Sequence, residues 1–326
     1  MEYAVSVIIP VYQVERYIEE CIDSLINQTI DSIQLVIVDN GCLDKSMEIV
    51  KEKVGKLENV KILSLDNNVG LPKARNIGMS EADGEYIAFV DSDDRCNKSM
   101  FEKMYNLAKK NNADIVTCNI ASFEEEVKKS TDHHNELWYE DGKCHSILGY
   151  PQQWMEMAAW GKLINKEYAK RMEFSFTEYS LCCEEVPGMT RLYLNTDKFC
   201  TFNETLYFYR NRPNSLSKKT TKKYVDDFIY AIKKQDYELK NKDFNDAINM
   251  YYILMMRLLL TNHILVHIDK NDIEYGINKI GVVFDIFKKS FIKQATTYNS
   301  INYEVIKALR EQDIKQYRLL MGGIWQ

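Results

Sequence analysis

The first 118 residues alternate short apolar runs with stretches of helical periodicity, and few folds accept that pattern. "AVSVIIP" (4–10) leads into a helical stretch near 14–27, and "IQLVIVD" (33–39) into one near 43–54. "VKILSL" (60–65) precedes a helix near 70–82, "EYIAFVD" (85–91) one near 97–112, and "DIVTCNI" (114–120) closes the series. Runs that are apolar on both faces need cover on both faces, and helices between them supply it. The pattern therefore predicts an α/β domain with a mostly parallel sheet flanked by helices. In such sheets ligands bind outside the carboxyl ends of the strands. Those ends carry Pro10-Val11-Tyr12, Asp39-Asn40 and Asp91-Ser92-Asp93, so three polar clusters converge on one edge.

The third cluster belongs to "FVDSDDRC", where three carboxylates fall within four residues. Packing like charges so closely is costly unless positive charge sits among them. Two readings stand. Asp and Ser are good turn formers and helix caps, and a helical stretch follows at once. Alternatively, Asp91 and Asp93 hold a divalent ion. The first strand is followed by no glycine-rich turn, and no P-loop is present. A nucleotide's phosphates would then need another neutralising partner, and a metal on carboxylates can provide it. Lys73 and Arg75 in "GLPKARN" offer further positive charge from a helix start. Their alternative place is a solvated helix face.

At 326 residues the chain has room for one large domain or two smaller ones. Its formal net charge of -6 argues against nucleic acid as a primary partner, because phosphate backbones select basic surfaces. The N-terminus enters an apolar run with no basic segment before it, so a cytoplasmic protein is expected. The eight cysteines show no zinc-type spacing and are read as reduced, mostly buried thiols. His133 and His134 fall in a polar loop and are given no metal role. The longest apolar stretch, "MYYILMMRLLLTNHILVHI" near 250–268, is interrupted by Arg257, Asn262 and His263. Its uninterrupted runs fall short of the ~20 residues a membrane span needs. It reads as a buried helix or a homo-oligomer interface, with peripheral membrane association left open.

The blocks "SVIIPVYQVERYIEECIDSLINQT", "LVIVDNGCLDKS", "NNVGLPKARNIGM" and "GEYIAFVDSDD" resemble, in order and spacing, the bacterial family 2 glycosyltransferases of the GT-A fold. "AAWGKLINKE", "CCEEVPG" and "LYFYRNRPNSLS" resemble that family's later blocks, so the likeness covers about 1–217. It implies a nucleotide-sugar-binding half over 1–118, an acceptor-binding half over 119–217 and a helical C-terminal region over 218–326. It further implies inverting, metal-dependent transfer of a hexose or N-acetylhexosamine from a UDP-sugar to a hydroxyl. The acceptor would be a lipid-linked saccharide or a glycoprotein, at the inner face of the membrane.

By this resemblance Asp93 ligates Mn²⁺ or Mg²⁺ on the diphosphate, and Asp91 supports the metal or the ribose. Asp39, Asn40 and Pro10-Val11-Tyr12 face the base, with Ser92 between the two metal carboxylates. Arg210 and Ser215 sit in a loop over the diphosphate, and Trp160 lies near the sugars or in the core. Glu185 serves as general base, with Glu184 its nearest rival. Two departures stand out: the family usually has Glu-Asp at Glu184-Glu185 and Asp-Asp at Asp39-Asn40. They support the alternative of a non-catalytic partner subunit that binds a sugar nucleotide. A nucleotidyltransferase would also share the sheet and carboxylates, but needs the glycine-rich loop that is missing.

Overall fold

A computed structural model describes residues 3–124, 131–132, 142–212, 220–244, 246–287, 300–313 and 315–317. The chain forms two compact units. The first comprises 1–147, 158–179 and 191–212, and the second 148–157, 180–190 and 213–326.

The chain order is β1 (Tyr3–Val11), α1 (Ile18–Ile26), β2 (Ile33–Asp39), α2 (Ser46–Val54), β3 (Val60–Ser64), α3 (Leu71–Ser80), β4 (Gly84–Phe89), β5 (Arg95–Cys96) and α4 (Met100–Asn111). β6 (Ile115–Phe123), β7 (Thr131–Asp132), β8 (Cys144–His145), β9 (Lys162–Asn165), α5 (Lys166–Arg171), α6 (Val186–Leu194) and β10 (Phe199–Arg210) follow. The sheet order is β3-β2-β1-β4-β9-β6-β10-β5, with β7 on β6 and β8 on β10. The first four strands are parallel, as the sequence predicts. In β1, Val5, Val7, Ile8, Ile9 and Val11 are all wholly buried, as a central strand covered on both faces requires.

The sheet departs from a simple parallel series after β4. The run at 114–120 does not join β4; β9 lies between them and is antiparallel to both. β10 then pairs with β6 in parallel, and β5 pairs with β10 antiparallel. The sheet is therefore mixed. The expected boundary near 118 falls inside β6.

Helix spacing explains the covering layers. In α4, Met100, Phe101, Met104, Leu107 and Ala108 form one buried face, and the helix ends at Asn112 in the left-handed conformation (φ 48°). α3 carries Pro in its first turn, where no backbone N–H is lost. At Gly78 a Cβ would come within 2.5 Å of Ile8 Cγ2, so only glycine lets α3 settle on the sheet at this depth.

One reading of the cysteines is corrected here. Cys144 of β8 and Cys200 of β10 are cross-strand partners and form a disulfide. Cys21, Cys42, Cys96, Cys118, Cys182 and Cys183 are free thiols.

The second unit holds α7 (Lys222–Asn241), α8 (Ala247–His267), α9 (Ile273–Ile280) and α10 (Ser300–Arg310). The side chain of Thr221 caps α7 and that of Asp246 caps α8. The apolar stretch expected to be buried is α8, with Ile253, Leu254, Met256, Leu258, Ile264 and Leu265 in the interior. Arg257 does not break it. The residue is wholly buried, with Nη2 2.6 Å from Asp236 and Nη1 donating to the Val283 carbonyl. A buried guanidinium needs just such a paired, hydrogen-bonded setting. Among the described residues, no helix is long and apolar enough to cross a membrane.

Candidate functional site

The parallel pairing of β1, β2 and β4 brings their carboxyl ends to one edge. Pro10 and Val11 are buried at the end of β1, and Tyr12 just beyond is exposed. Asp39 ends β2, and its Oδ1 accepts the Cys42 N–H at 2.9 Å, closing a tight turn. At Gly41 (φ 73°) an added Cβ would lie 2.6 Å from the Asn67 backbone, so residues 67–68 press directly on the turn. The loops after β1 and β2 are laced together. Asp44 accepts the Glu15 N–H, Glu15 accepts the Lys45 N–H, and Ser46 Oγ accepts the Val14 N–H.

Asn40 has a different task from the base contact expected of it. It is 3% exposed; its Nδ2 donates to Asn68 Oδ1 at 3.0 Å, and its Oδ1 accepts the Val69 N–H at 2.9 Å. Asn68 Oδ1 also accepts the Gly70 N–H, immediately before α3. The amide thus pins the loop that delivers Lys73 and Arg75. Asn40→Asp removes the donor and sets a carboxylate against Asn68 Oδ1. The expected outcome is a loss of about 1–3 kcal/mol of stability, the cost of an unsatisfied buried polar group. Urea unfolding of both proteins measures it, and an unchanged midpoint would contradict the assignment.

The "DSDD" carboxylates each have a distinct cationic or donor partner. Arg75, 3% exposed on α3, reaches Asp91 Oδ1 with Nη2 at 2.6 Å. Arg212 Nε lies 2.5 Å from Asp93 Oδ2. Asp94, absent from the sequence-based assignment, is wholly buried; it accepts the Tyr207 hydroxyl at 2.5 Å and the Arg210 N–H at 2.7 Å. Ser92 is buried between them. Burial pushes the Asp93 carboxyl up to about 6 although Arg212 opposes it, and the Asp91 charge adds to the rise. Burial, with Asp93 and Asp91 beside it, drives Asp94 well above the carboxylate range.

Arg210 is not in a loop: it ends β10 and is 4% exposed. Its Nε donates to the Asp93 carbonyl at 2.7 Å, and its Nη2 pairs with Glu20, which also binds Arg95 at 2.6 Å. Burial pushes Glu20 up, but the guanidiniums of Arg210 and Arg95 hold it below its usual range. Arg210 therefore braces the backbone of Asp93 from β10. Ser215 lies outside the described residues, as do His133 and His134.

Trp160 is half-buried and bridges Phe89 at the end of β4. Its ring stacks on Tyr207 (5.1 Å) and Tyr209 (5.5 Å). Lys73 is partly exposed, 4.0 Å from Glu178 and over the Tyr179 ring.

Glu184 and Glu185 belong to the second unit. They directly precede α6, whose first turn contains Pro187, and the Glu185 carbonyl accepts the Met189 N–H at 2.8 Å. Glu184 is buried and Glu185 half-buried. The segment is tied to α7: Asp227 accepts the Leu181 N–H, and Cys182 Sγ donates to the Tyr224 carbonyl.

Among the described residues, no group of three or more His, Cys, Asp or Glu is arranged to hold a metal by protein ligands alone. Asp91 and Asp93 still fit a hard divalent ion. Both present carboxylate oxygen, and Mg²⁺-type ions take one or two carboxylates with substrate phosphates completing the shell. Burial, with the Asp91 charge adding to it, makes the charged form of Asp93 costly, and a bound cation would offset that cost.

The profile of glycosyl transferase family 2 matches residues 6–172. The chain is 31% identical to glycosyltransferase EpsJ of Bacillus subtilis over 69% of this chain and 66% of that one. It is 32% identical to glycosyltransferase GlyA of Streptococcus pneumoniae over 73% of this chain, but spans only 35% of GlyA. With glycosyltransferase GlyG of the same organism it shares 30% identity over 66% of this chain and 73% of GlyG. Its fold is similar to that of S. aureus TarS residues 1–349, crystallised in complex with UDP-GlcNAc. The TM-score is 0.80 at 21% identity, over 97% of this chain and 90% of that one.

Proposed function

Because the chain belongs to glycosyl transferase family 2, we propose that it moves a hexose or N-acetylhexosamine from a UDP-sugar to an acceptor hydroxyl, with inversion at the anomeric carbon. The observation that carries this reading is the Asp91–Asp93 carboxylate pair just after β4, on the edge where β1 and β2 also end. A UDP-sugar donor is supported by the similarity to TarS, whose structure holds UDP-GlcNAc.

In this reading Tyr12 and Asp39 face the base and ribose, behind the buried Pro10 and Val11. Asn40 acts indirectly, by pinning the loop before α3. Asp93 and Asp91 would hold Mn²⁺ or Mg²⁺, which when bound supplies charge against the leaving diphosphate. Arg75 fixes the Asp91 carboxylate, and Lys73 and Ser215 add contacts to the phosphates. Trp160, with one side of its aromatic stack toward the sugar, orients the donor. Glu185 takes the proton of the attacking hydroxyl as it bonds to the anomeric carbon. The acceptor is a saccharide on a lipid or protein, built at the cytoplasmic face of the membrane.

Incubation with a panel of UDP-, GDP- and CDP-sugars in Mn²⁺ tests the proposal. Release of UDP from one or a few UDP-sugars is expected, with transfer when a saccharide acceptor is added. A panel with no release from any donor would reject the enzyme reading.

A further inference from the structure

We propose that Arg212 is a resident counter-cation of the acidic cluster: it holds Asp93 while the site is empty, and passes to the diphosphate when a divalent ion takes the carboxylate. This rests on the metal–diphosphate reading given above.

Three guanidiniums surround "DSDD", and they differ in their freedom. Arg75 has a side chain 4% exposed, 5.2 Å over the Phe176 ring. Arg210 has one 5% exposed, held by the Asp93 carbonyl, Glu20 and the rings of Tyr17 and Phe123. Both guanidiniums are themselves almost wholly buried, so neither is placed to swing outward. Arg212 also lies over the Tyr17 ring, at 5.4 Å, but its side chain is 27% exposed and it stands beyond the last β10–β6 pair, Arg210 with Phe123. Its partner Asp93 is 13% exposed at the side chain, so a carboxylate left alone there would be poorly solvated.

Arg212 and a divalent ion cannot share Asp93 Oδ2. With Nε 2.5 Å from it, that oxygen is already taken by the guanidinium, and a second cation on the same carboxylate would be repelled. A metal arriving alone must displace Arg212 into solvent. A metal arriving with a diphosphate offers the displaced planar fork a pair of phosphate oxygens, which guanidinium binds bidentately. Arg212 would thus oppose binding of the bare ion and favour binding of the ion with its nucleotide. Metal and UDP become coupled through one side chain, and by linkage each raises the affinity for the other.

The test measures Mn²⁺ binding alone, from the free-ion electron paramagnetic resonance signal, and UDP binding in saturating Mn²⁺, by calorimetry. Arg212→Gln should bind bare Mn²⁺ about tenfold more tightly and UDP about tenfold more weakly, the scale of one charge-assisted contact. Arg212→Lys keeps the charge without the fork. It should leave Mn²⁺ affinity near wild type while still weakening UDP. A residue with only a structural role would not move the two affinities in opposite directions. Bare Mn²⁺ bound no more tightly by Arg212→Gln than by wild type overturns the proposal, as does Asp93→Asn retaining wild-type Mn²⁺ affinity. Failure of the wild-type protein to bind UDP in Mn²⁺ would instead sink the donor-site reading itself, and this proposal with it.

Discussion

Asp93→Ala is expected to abolish sugar transfer and to erase the thermal stabilisation that UDP and Mn²⁺ confer, while leaving the ligand-free fold intact. The last part follows from the charge balance of the site. Burial, only partly offset by Arg212, pushes the Asp93 carboxyl up to about 6, so its charge is a burden on the empty fold. Removing it leaves Arg212, already 27% exposed at the side chain, to turn to water. The brace on this segment also survives, because Arg210 bonds the Asp93 carbonyl and not its side chain. Binding is another matter. A ligand at 100 times its dissociation constant adds about 2.7 kcal/mol to the native state. That increment should be plain in wild-type melting curves and missing from the variant. Equal stabilisation of both proteins by UDP and Mn²⁺ would return "DSDD" to an acidic turn.

The residues that could be read from sequence are those whose role is set locally. β1, β2 and β4 declare themselves because a strand buried on both faces must be apolar throughout, and Asp91 and Asp93 follow from their place at a strand end. β9 escapes this logic. It has four residues, too few for a period, and begins at Lys162, whose buried amine is satisfied by the Ala158 carbonyl. Asp94, Arg212 and Glu20 were invisible for a different reason. Their partners lie 75 to 190 residues away, and nothing in a local pattern reports such pairing. Glu20 in particular looks like an ordinary solvated charge on α1, yet it anchors Arg210 and Arg95. Asn40 shows the opposite case. Its position at a strand end suggests ligand contact, whereas its amide is spent on Asn68 and Val69. A polar residue at a functional edge can serve the edge's shape as readily as its ligand.

Glu185→Gln is expected to lose at least two decades of turnover while UDP affinity in Mn²⁺ stays within about threefold. General-base catalysis contributes about 10²–10⁴-fold, which sets the lower bound on the loss. The second bound comes from the division of labour proposed here: Glu185 acts on the acceptor's proton, and donor affinity is assigned to Asp91, Asp93 and the arginines. A threefold change corresponds to less than about 1 kcal/mol. The substitution should be mild on the fold. Glu185 starts α6 through its backbone carbonyl, which glutamine retains, and its side chain is half-buried. Glu185→Asp restores the side chain usual in the family but withdraws the carboxylate by one methylene. Partial activity is expected, since about 1 Å of misplacement can cost about 10²-fold. Glu184→Gln is the internal comparison: Glu184 is buried at the same helix start and should influence stability more than turnover. Should Glu184→Gln be inactive and Glu185→Gln active, the base lies one residue earlier. Near-full turnover in both variants would remove this segment from the chemistry, and with it the proposed single displacement assisted from α6.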